Sequence, residues 1–305
     1  MKINGIRLPK NPRDPIGQAG REAKAVRDLN SRYASIYREL SALVSSLPVT
    51  VSTNADYQYD ISSYSLQMTL DSIEQIIDKW LTQGRGRWWW DGYTTPAYKN
   101  GVASARNDLA SQSAIYAATR PELEAIFLSP EYQRRVLLLR EAGWTDIKGL
   151  SDDLAKDAKT ILTESMLAGE SPRKTMGLIR DRIGVSKSRA NNIVRTAIPG
   201  SYRQATRDET RTAEAEYGFK TKMMHLASLL PRMRPWHMSR HGKLYTVDEV
   251  EQWYSVDGNR YRCRCHQSPI LVDDDGNALY PRAQQAALKQ KEKAIEMGLG
   301  KPGKE

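Results

Sequence analysis

The chain has little cysteine and no long apolar segment. Its 305 residues include two cysteines, and no stretch approaches the roughly 18 consecutive apolar residues of a membrane-spanning helix. The first residues, MKINGIRLPKNPRDP, lack the apolar core of a secretory signal peptide. The sequence therefore predicts a protein without a membrane span, first used in a cytoplasm, whose thiols are reduced.

Acidic residues are scarce in one block of the chain. Residues 171–266 contain 19 Lys and Arg against 9 Asp and Glu, and this excess equals the net charge of +10 for the whole chain. Such a block is typical of a surface that meets phosphate groups or an acidic protein. A basic face that is simply solvated explains the charge equally well.

Apolar periodicity predicts a mainly α N-terminal region followed by a small α+β C-terminal domain. Residues 1–19 carry three prolines and are expected to form an extended arm. Residues 20–150 form a helical region, with helices over 20–47, 62–81, 102–119 and 130–142, the last one stopped by Gly143. Residues 151–218 continue as helices that begin at the expected N-caps Ser151, Ser171 and Ser186.

The hydrophobic pattern changes after Gly218. Alternation predicts short strands near residues 219–225, 243–246 and 260–265 around a helix over 248–254, so residues 219–275 form the small α+β domain. Residues 276–305 are a polar, basic tail that contains an exposed helix over 283–297.

Three consecutive tryptophans, Trp88, Trp89 and Trp90, cannot all face the same side of a regular element. They either pack against the chain's own helices or anchor a partner subunit, because tryptophan is enriched at interface hot spots. Both interpretations remain open.

Histidine and cysteine are concentrated between residues 234 and 269. His237 and His241 are four residues apart and would share one helix face, while Cys263 and Cys265 would point to the same side of a strand. These four side chains are candidate ligands for a tetrahedral zinc ion, although Cys-x-Cys is a tighter spacing than most zinc sites use. Alternatively, they are core residues with ordinary hydrogen bonds.

Three blocks in this order resemble the phage head morphogenesis family, the Mu F-like minor head proteins. The blocks are LAGESPRKTMGLIRDRIGVSKSRANNIVRTAIPGSYRQATRDE, RMRPWHMSRHGKLY and RCRCHQSP. The resemblance implies a non-enzymatic minor head protein of the virion, which associates with the portal protein and other head proteins at the portal vertex. It is compatible with a role in DNA packaging or ejection and with contact to double-stranded DNA.

Five arginines in the second and third blocks are candidate contacts to nucleic acid or a partner. They are Arg232, Arg234, Arg240, Arg262 and Arg264. Two other functions remain open: a metal-dependent nuclease with His237 or His266 as general base, and a DNA-binding module that uses the basic block. A nuclease would also need a carboxylate, and the nearest acids are expected to serve as helix caps and turn residues.

Overall fold

A computed structural model describes residues 5–52 and 56–300, and most of them are helical. This confirms the predicted fold class, a long helical region followed by a small α+β region. The α-helices are α1 (Ala19–Ser45), α2 (Ser63–Leu81), α3 (Arg87–Trp89), α4 (Thr95–Ala110), α5 (Ala114–Thr119), α6 (Leu123–Leu128), α7 (Pro130–Leu167), α8 (Pro172–Tyr217), α9 (Pro235–Ser239), α10 (Val247–Ser255) and α11 (Arg282–Glu296).

The helices α7 and α8 are longer than the sequence predicts, because three expected boundaries do not occur. Gly143 is inside α7, where a Cβ atom would come within 2.2 Å of the Trp90 ring. Glycine is therefore suited to close packing at this position and does not end the helix. The hydroxyl groups of Ser151 and Ser186 bond to side chains, Asp78 at 2.8 Å and Tyr33 at 2.7 Å, instead of capping new helices.

The strands form two small antiparallel sheets. Strands β1 (Val49–Val51) and β2 (Tyr57–Tyr59) form one sheet, and the second has the order β4 (Leu244–Tyr245), β3 (Thr221–Leu226), β5 (His266–Leu271). The prediction of a strand over 260–265 is wrong, because Arg262 has a left-handed backbone (φ 51°) and the strand begins after the second cysteine.

The central strand β3 separates two hydrophobic clusters. Met224 and Leu226 pack with Ile270 and with Ala283 and Ala287 of α11. The alternate residue Met223 belongs to a second cluster with residues of α10 and both cysteines. The period-2 alternation of a strand thus places one side of β3 against α11 and the other against the cysteine region.

The chain divides into two compact units, each built from separate segments. One unit contains the described parts of residues 1–22, 91–137 and 195–305, and the other contains those of residues 23–90 and 138–194. The first unit holds the second sheet and is called the sheet unit below; the other is called the helical unit.

Both ends of the described chain pack within the sheet unit. Residues 5–18 contain no helix or strand, yet Ile6 and Ile16 are buried, and the backbone N–H of Leu229 donates to the Pro12 carbonyl. The helix α11 is not simply exposed, because three of its alanines are buried. Across residues 5–52 and 56–300, no helix combines the length and apolarity needed to cross a bilayer.

Candidate functional site

The histidine and cysteine side chains come from three elements of the sheet unit. His225 is on β3, His237 is on the short helix α9, and Cys263 and Cys265 lie in the loop that precedes β5. Each of these four residues is at most 2% exposed. Both cysteines are free thiols.

Three of the four predicted metal ligands meet in space. The Nδ1 atom of His237 lies 3.4 Å from Cys265 Sγ and 3.5 Å from Cys263 Sγ. His225, which the sequence analysis did not select, joins them: one ligand atom each of His225, His237 and Cys265 lie within 4.8 Å of one another. We refer to His225, His237, Cys263 and Cys265 as the His/Cys cluster.

The fourth predicted ligand, His241, is placed differently. The helix α9 ends at Ser239, so the i,i+4 relation between His237 and His241 does not put them on one helix face. The Nδ1 atom of His241 accepts a 3.0 Å hydrogen bond from the backbone N–H of Ala227. Burial and the nearby Lys291 charge lower the pKa of His241 to about 4.

Arg203 and Tyr254 shape the electrostatics next to the two thiols. The buried Arg203 guanidinium donates to the Cys263 carbonyl and stacks on the Tyr254 ring, 4.6 Å from its centroid. The Tyr254 hydroxyl lies 3.5 Å from Cys263 Sγ, and burial raises the pKa of this tyrosine well above its usual value.

The two cysteines have opposite pKa shifts. Burial alone would raise the pKa of Cys263, but a hydrogen bond with Cys265 and the positive charge of Arg203 outweigh it and lower that pKa well below normal. The same hydrogen bond, followed by burial, raises the pKa of Cys265 well above normal. These opposite shifts favour a thiolate at Cys263 over one at Cys265.

An aromatic ring packs beside the two histidines of the cluster. Trp253 of α10 lies edge-on to His237 and His225, with ring centroids 4.6 Å and 5.3 Å away. Arg240 stacks over Trp253 at 4.6 Å and over Tyr245 at 3.5 Å. This predicted contact residue is therefore held between aromatic rings, and Trp253 limits the movement of both imidazoles.

A pocket of about 200 Å³ lies beside the cluster, and five of its twelve lining residues are arginines. Four of the five predicted contact arginines line it, all except Arg240. The pocket is also lined by Arg195, His237, both cysteines and Glu22. We call it the arginine pocket. The lining arginines are Arg195, Arg232, Arg234, Arg262 and Arg264.

Two of these arginines are already engaged inside the protein. Arg264 forms a bidentate ion pair with the buried Glu22, with N to O distances of 2.7 Å and 3.0 Å. Arg234 donates to backbone carbonyls, at 3.1 Å to Gly258 and 2.9 Å to Asn259. Arg234 therefore stabilises the loop that leads to the cysteines, since each of these bonds holds a carbonyl in place.

Arg232 and Arg262 are exposed at the rim of the pocket. The backbone N–H of Arg262 donates to Thr196 Oγ1 at 3.2 Å, which fixes the turn before Cys263. These two guanidinium groups are the best placed of the predicted set to meet a carboxylate or phosphate from outside.

The acidic residues that a nuclease would require have other partners. Glu251 pairs with Arg207 and Arg211, Asp248 pairs with Arg211, and Glu249 forms a capping box with Thr246. The predicted cap role holds for Glu249, and Asp248 also lies in the first turn of α10, whereas Glu251 is an ion-pair residue.

His266, the alternative general base of a nuclease, is 2% exposed, and its Nε2 atom lies 2.9 Å from Ser268 Oγ. Burial, reinforced by the Arg203 charge, lowers the pKa of His266 to about 3. The ring is therefore a core group, with no exposed surface for a substrate.

The tryptophan triplet packs within the helical unit. Trp89 and Trp90 are 1% and 5% exposed, and the Trp90 indole N–H donates to the Arg85 carbonyl. Trp88 is partly buried, and the Arg32 guanidinium lies 4.0 Å from its ring centroid. Only part of the Trp88 ring is accessible, so anchoring of a partner by this triplet stays a prediction.

Sequence reasoning missed several residues of the site, among them His225, Gln267, Arg203 and Glu22. The register of β3 and β5 pairs His225 with Gln267, and the Gln267 side-chain amide also contacts the Tyr254 hydroxyl at 2.9 Å. The strand pattern of MMHL could have predicted the position of His225. In a strand, His225 points to the same face as Met223, two residues earlier. No sequence signal linked Glu22 to Arg264, which are 242 positions apart.

These observations define a mainly helical protein with a small sheet unit, a buried His/Cys cluster and an adjoining arginine pocket. Residues 156–268 match the family model described as Phage Mu protein F like protein. No curated protein and no solved structure matches the chain.

The family match confirms, over residues 156–268, the resemblance to the phage head morphogenesis family that the sequence predicts. It includes the whole His/Cys cluster and every residue of the arginine pocket except Glu22. The family indicates a component of the virion whose partners are other head proteins.

Proposed function

We propose that the protein is a structural minor head protein that assembles at the portal vertex in the host cytoplasm and becomes part of the virion head. The family match is the main support for this proposal, since members of the family are generally structural proteins. The engaged carboxylates of α10 also favour an assembly role over catalytic turnover.

The arginine pocket is the proposed contact surface for an acidic segment of the portal protein or another head protein. Its volume of about 200 Å³ is suited to one or two side chains, and the exposed Arg232 and Arg262 stand at its rim. Arginine recognises carboxylates by paired hydrogen bonds, which gives such a contact orientation as well as charge.

Contact with double-stranded DNA is the less favoured use of the same surface. Three arginines of the basic block are engaged inside the protein: Arg203 and Arg207 are buried, and Arg264 pairs with Glu22. Duplex binding draws most of its affinity from neutralised phosphates, and the two exposed arginines at the rim of this pocket can neutralise only a few. A role in DNA packaging or ejection would then be indirect, through the portal.

The portal proposal can be tested by co-expressing the full-length protein with the portal protein of the same phage and separating the complexes by size. We expect the wild-type protein to co-elute with the portal ring. The double variant Arg232→Glu, Arg262→Glu should bind about tenfold more weakly or worse, because like charges would then meet.

The matched control is the double variant Arg173→Glu, Arg182→Glu. It changes the net charge by the same amount as the first double variant, at exposed positions of α8 that do not line the pocket. It should co-elute as the wild type does. Failure of the wild-type protein to bind the ring would contradict the portal role. Equal binding of the two double variants to the portal ring would contradict the role of the pocket. DNA binding that weakens steeply as the salt concentration rises, and that requires Arg232 and Arg262, would favour the DNA function.

A further inference from the structure

The His/Cys cluster has the internal distances of a tetrahedral metal site. Typical zinc sites have Zn–N distances of about 2.05 Å and Zn–S distances of about 2.3 Å, so a tetrahedral angle separates N and S by about 3.5 Å. The observed separations between His237 Nδ1 and the two sulfur atoms are 3.4 Å and 3.5 Å. Both N–S separations therefore fit the binding of one ion by His237 and the two cysteines.

Hydrogen bonding alone explains this convergence poorly. A neutral imidazole nitrogen carries at most one proton, so Nδ1 of His237 cannot make a good bond to both sulfur atoms. Cys263 Sγ also accepts from the backbone N–H of Cys265 at 3.4 Å. Such a bond stabilises a thiolate, the form that binds metal.

His225 offers the fourth ligand atom. Its Nδ1 atom lies 3.2 Å from the side-chain amide of Gln267, while its Nε2 atom is buried and has no hydrogen-bond partner among the described residues. A buried ring nitrogen without a partner is costly, and binding to a cation would satisfy it. Nε2 is therefore the nitrogen of His225 that remains for a metal.

Gln267 is placed to orient His225. In the structure the Gln267 Nε2 atom lies 3.2 Å from His225 Nδ1 and 2.9 Å from the Tyr254 hydroxyl oxygen. The two ends of a glutamine amide are assigned from hydrogen bonds, and turning this amide over lets its oxygen accept both the Nδ1–H of His225 and the Tyr254 O–H. Metal-binding histidines usually donate their second N–H to such an acceptor, which directs the other lone pair at the ion. Gln267 would thus be a positioning residue.

We propose that His225, His237, Cys263 and Cys265 bind one structural zinc ion, with Gln267 positioning His225. Two thiolates and two imidazoles in a tetrahedron favour zinc over harder cations such as magnesium or calcium. The ion would link the central strand β3 to the five-residue helix α9 and to the loop before β5, both of which lie outside the sheet. This proposal differs from the sequence prediction by one ligand, His225 in place of His241, and does not depend on the portal role.

The experiment is metal analysis of the untagged, full-length protein, followed by X-ray absorption spectroscopy at the zinc edge. We expect about one zinc per chain, bound by two sulfur and two imidazole nitrogen atoms. The variants His225→Gln and Cys265→Ser should lose at least half of the zinc, and Gln267→Leu should weaken zinc binding about 10- to 100-fold, as measured by competition with a chelator.

The matched control is His241→Gln, which replaces a histidine that is equally buried and outside the cluster. It should keep one zinc and an unchanged absorption spectrum. If His225→Gln does not fold, the spectra of the wild type and of His241→Gln still decide the ligand set. The ligand set predicted from the sequence includes His241, so it requires His241→Gln to lose one nitrogen ligand. The set proposed here requires that variant to keep both nitrogen ligands.

Three results would overturn the proposal. They are a folded wild-type protein without stoichiometric metal, a spectrum with fewer than two sulfur ligands, and loss of zinc from His241→Gln with retention in folded His225→Gln.

Discussion

Individual arginines of the sheet unit act mainly as internal structural groups. Arg203 bonds to the Cys263 carbonyl, Arg234 to the carbonyls of residues 258 and 259, and Arg264 to the buried Glu22 carboxylate. A guanidinium group has five N–H donors in a rigid plane, so it can hold an irregular loop by several bonds at once. These contacts fix the backbone next to the His/Cys cluster.

Replacing Arg264 by alanine should destabilise the protein by roughly 3 kcal/mol, because Glu22 would remain as a buried carboxylate without its bidentate partner. Equilibrium urea unfolding of the full chain measures this difference.

The control is Arg85→Ala, which removes a pair with Glu141 whose side chains are 69% and 52% exposed. Such exposed pairs contribute about 0–1 kcal/mol. Equal effects of the two substitutions would show that the Glu22–Arg264 pair does not contribute more than a surface pair.

A second residue-scale prediction concerns Asp108 in α4. Burial raises its pKa from 3.8 to about 7, although a hydrogen bond with Ser268 opposes the shift. The folded state therefore keeps a proton that the unfolded state has already released, so the wild type loses stability as the pH rises from about 4 to about 7.

The variant Asp108→Asn lacks this proton equilibrium. Between about pH 5 and about pH 8 the wild type should lose roughly 2–3 kcal/mol more than the variant, as measured by urea unfolding at each pH. Asp275→Asn, at an exposed position, should follow the wild-type pH dependence. Parallel curves for the wild type and Asp108→Asn would contradict the raised pKa.

Among the helices, packing against neighbouring side chains decides where the long ones continue. The helix α7 passes through both Gly143 and Gly149, but the two glycines have different surroundings. A Cβ atom at Gly143 would lie within 2.2 Å of the Trp90 ring, whereas a Cβ atom at Gly149 would have no atom within 4 Å. Only Gly143 is constrained by its neighbour.

Substitution of these glycines by alanine should have opposite effects. Gly149→Ala should stabilise the protein by about 0.5–1 kcal/mol, because alanine has the higher helix propensity. Gly143→Ala should destabilise it by about 1–3 kcal/mol, because the Trp90 ring must move. Thermal and urea unfolding of both variants test this, and stabilisation by both would show that Trp90 does not restrict residue 143.

The molecule as a whole assembles its site from distant parts of the chain. The sheet unit contains residues 5–22 as well as the described residues from 195 onwards, and Glu22 reaches the arginine pocket from the first of these segments. Both the cluster and the exposed rim arginines belong to this unit. The proposed metal site and the proposed contact surface are therefore built on one compact scaffold.

The sequence by itself determined the helical region, the small α+β region and the resemblance of residues 156–268 to the family. Apolar residues such as Leu29, Tyr33 and Ile36 recur at helical spacing, and each is at most 1% exposed. Local patterns of this kind depend on neighbours within a few positions, so they are readable from one chain. His237, Cys263 and Cys265 were also selected from their residue types and close spacing.

Only the tertiary structure decided which groups meet. It placed His225 in the cluster through the pairing of β3 with β5, and it separated His241 from His237 because α9 ends at Ser239. It also paired Arg264 with Glu22 across 242 positions. Contacts of this kind depend on the packing of remote segments, and neither periodicity nor spacing along the chain encodes them directly.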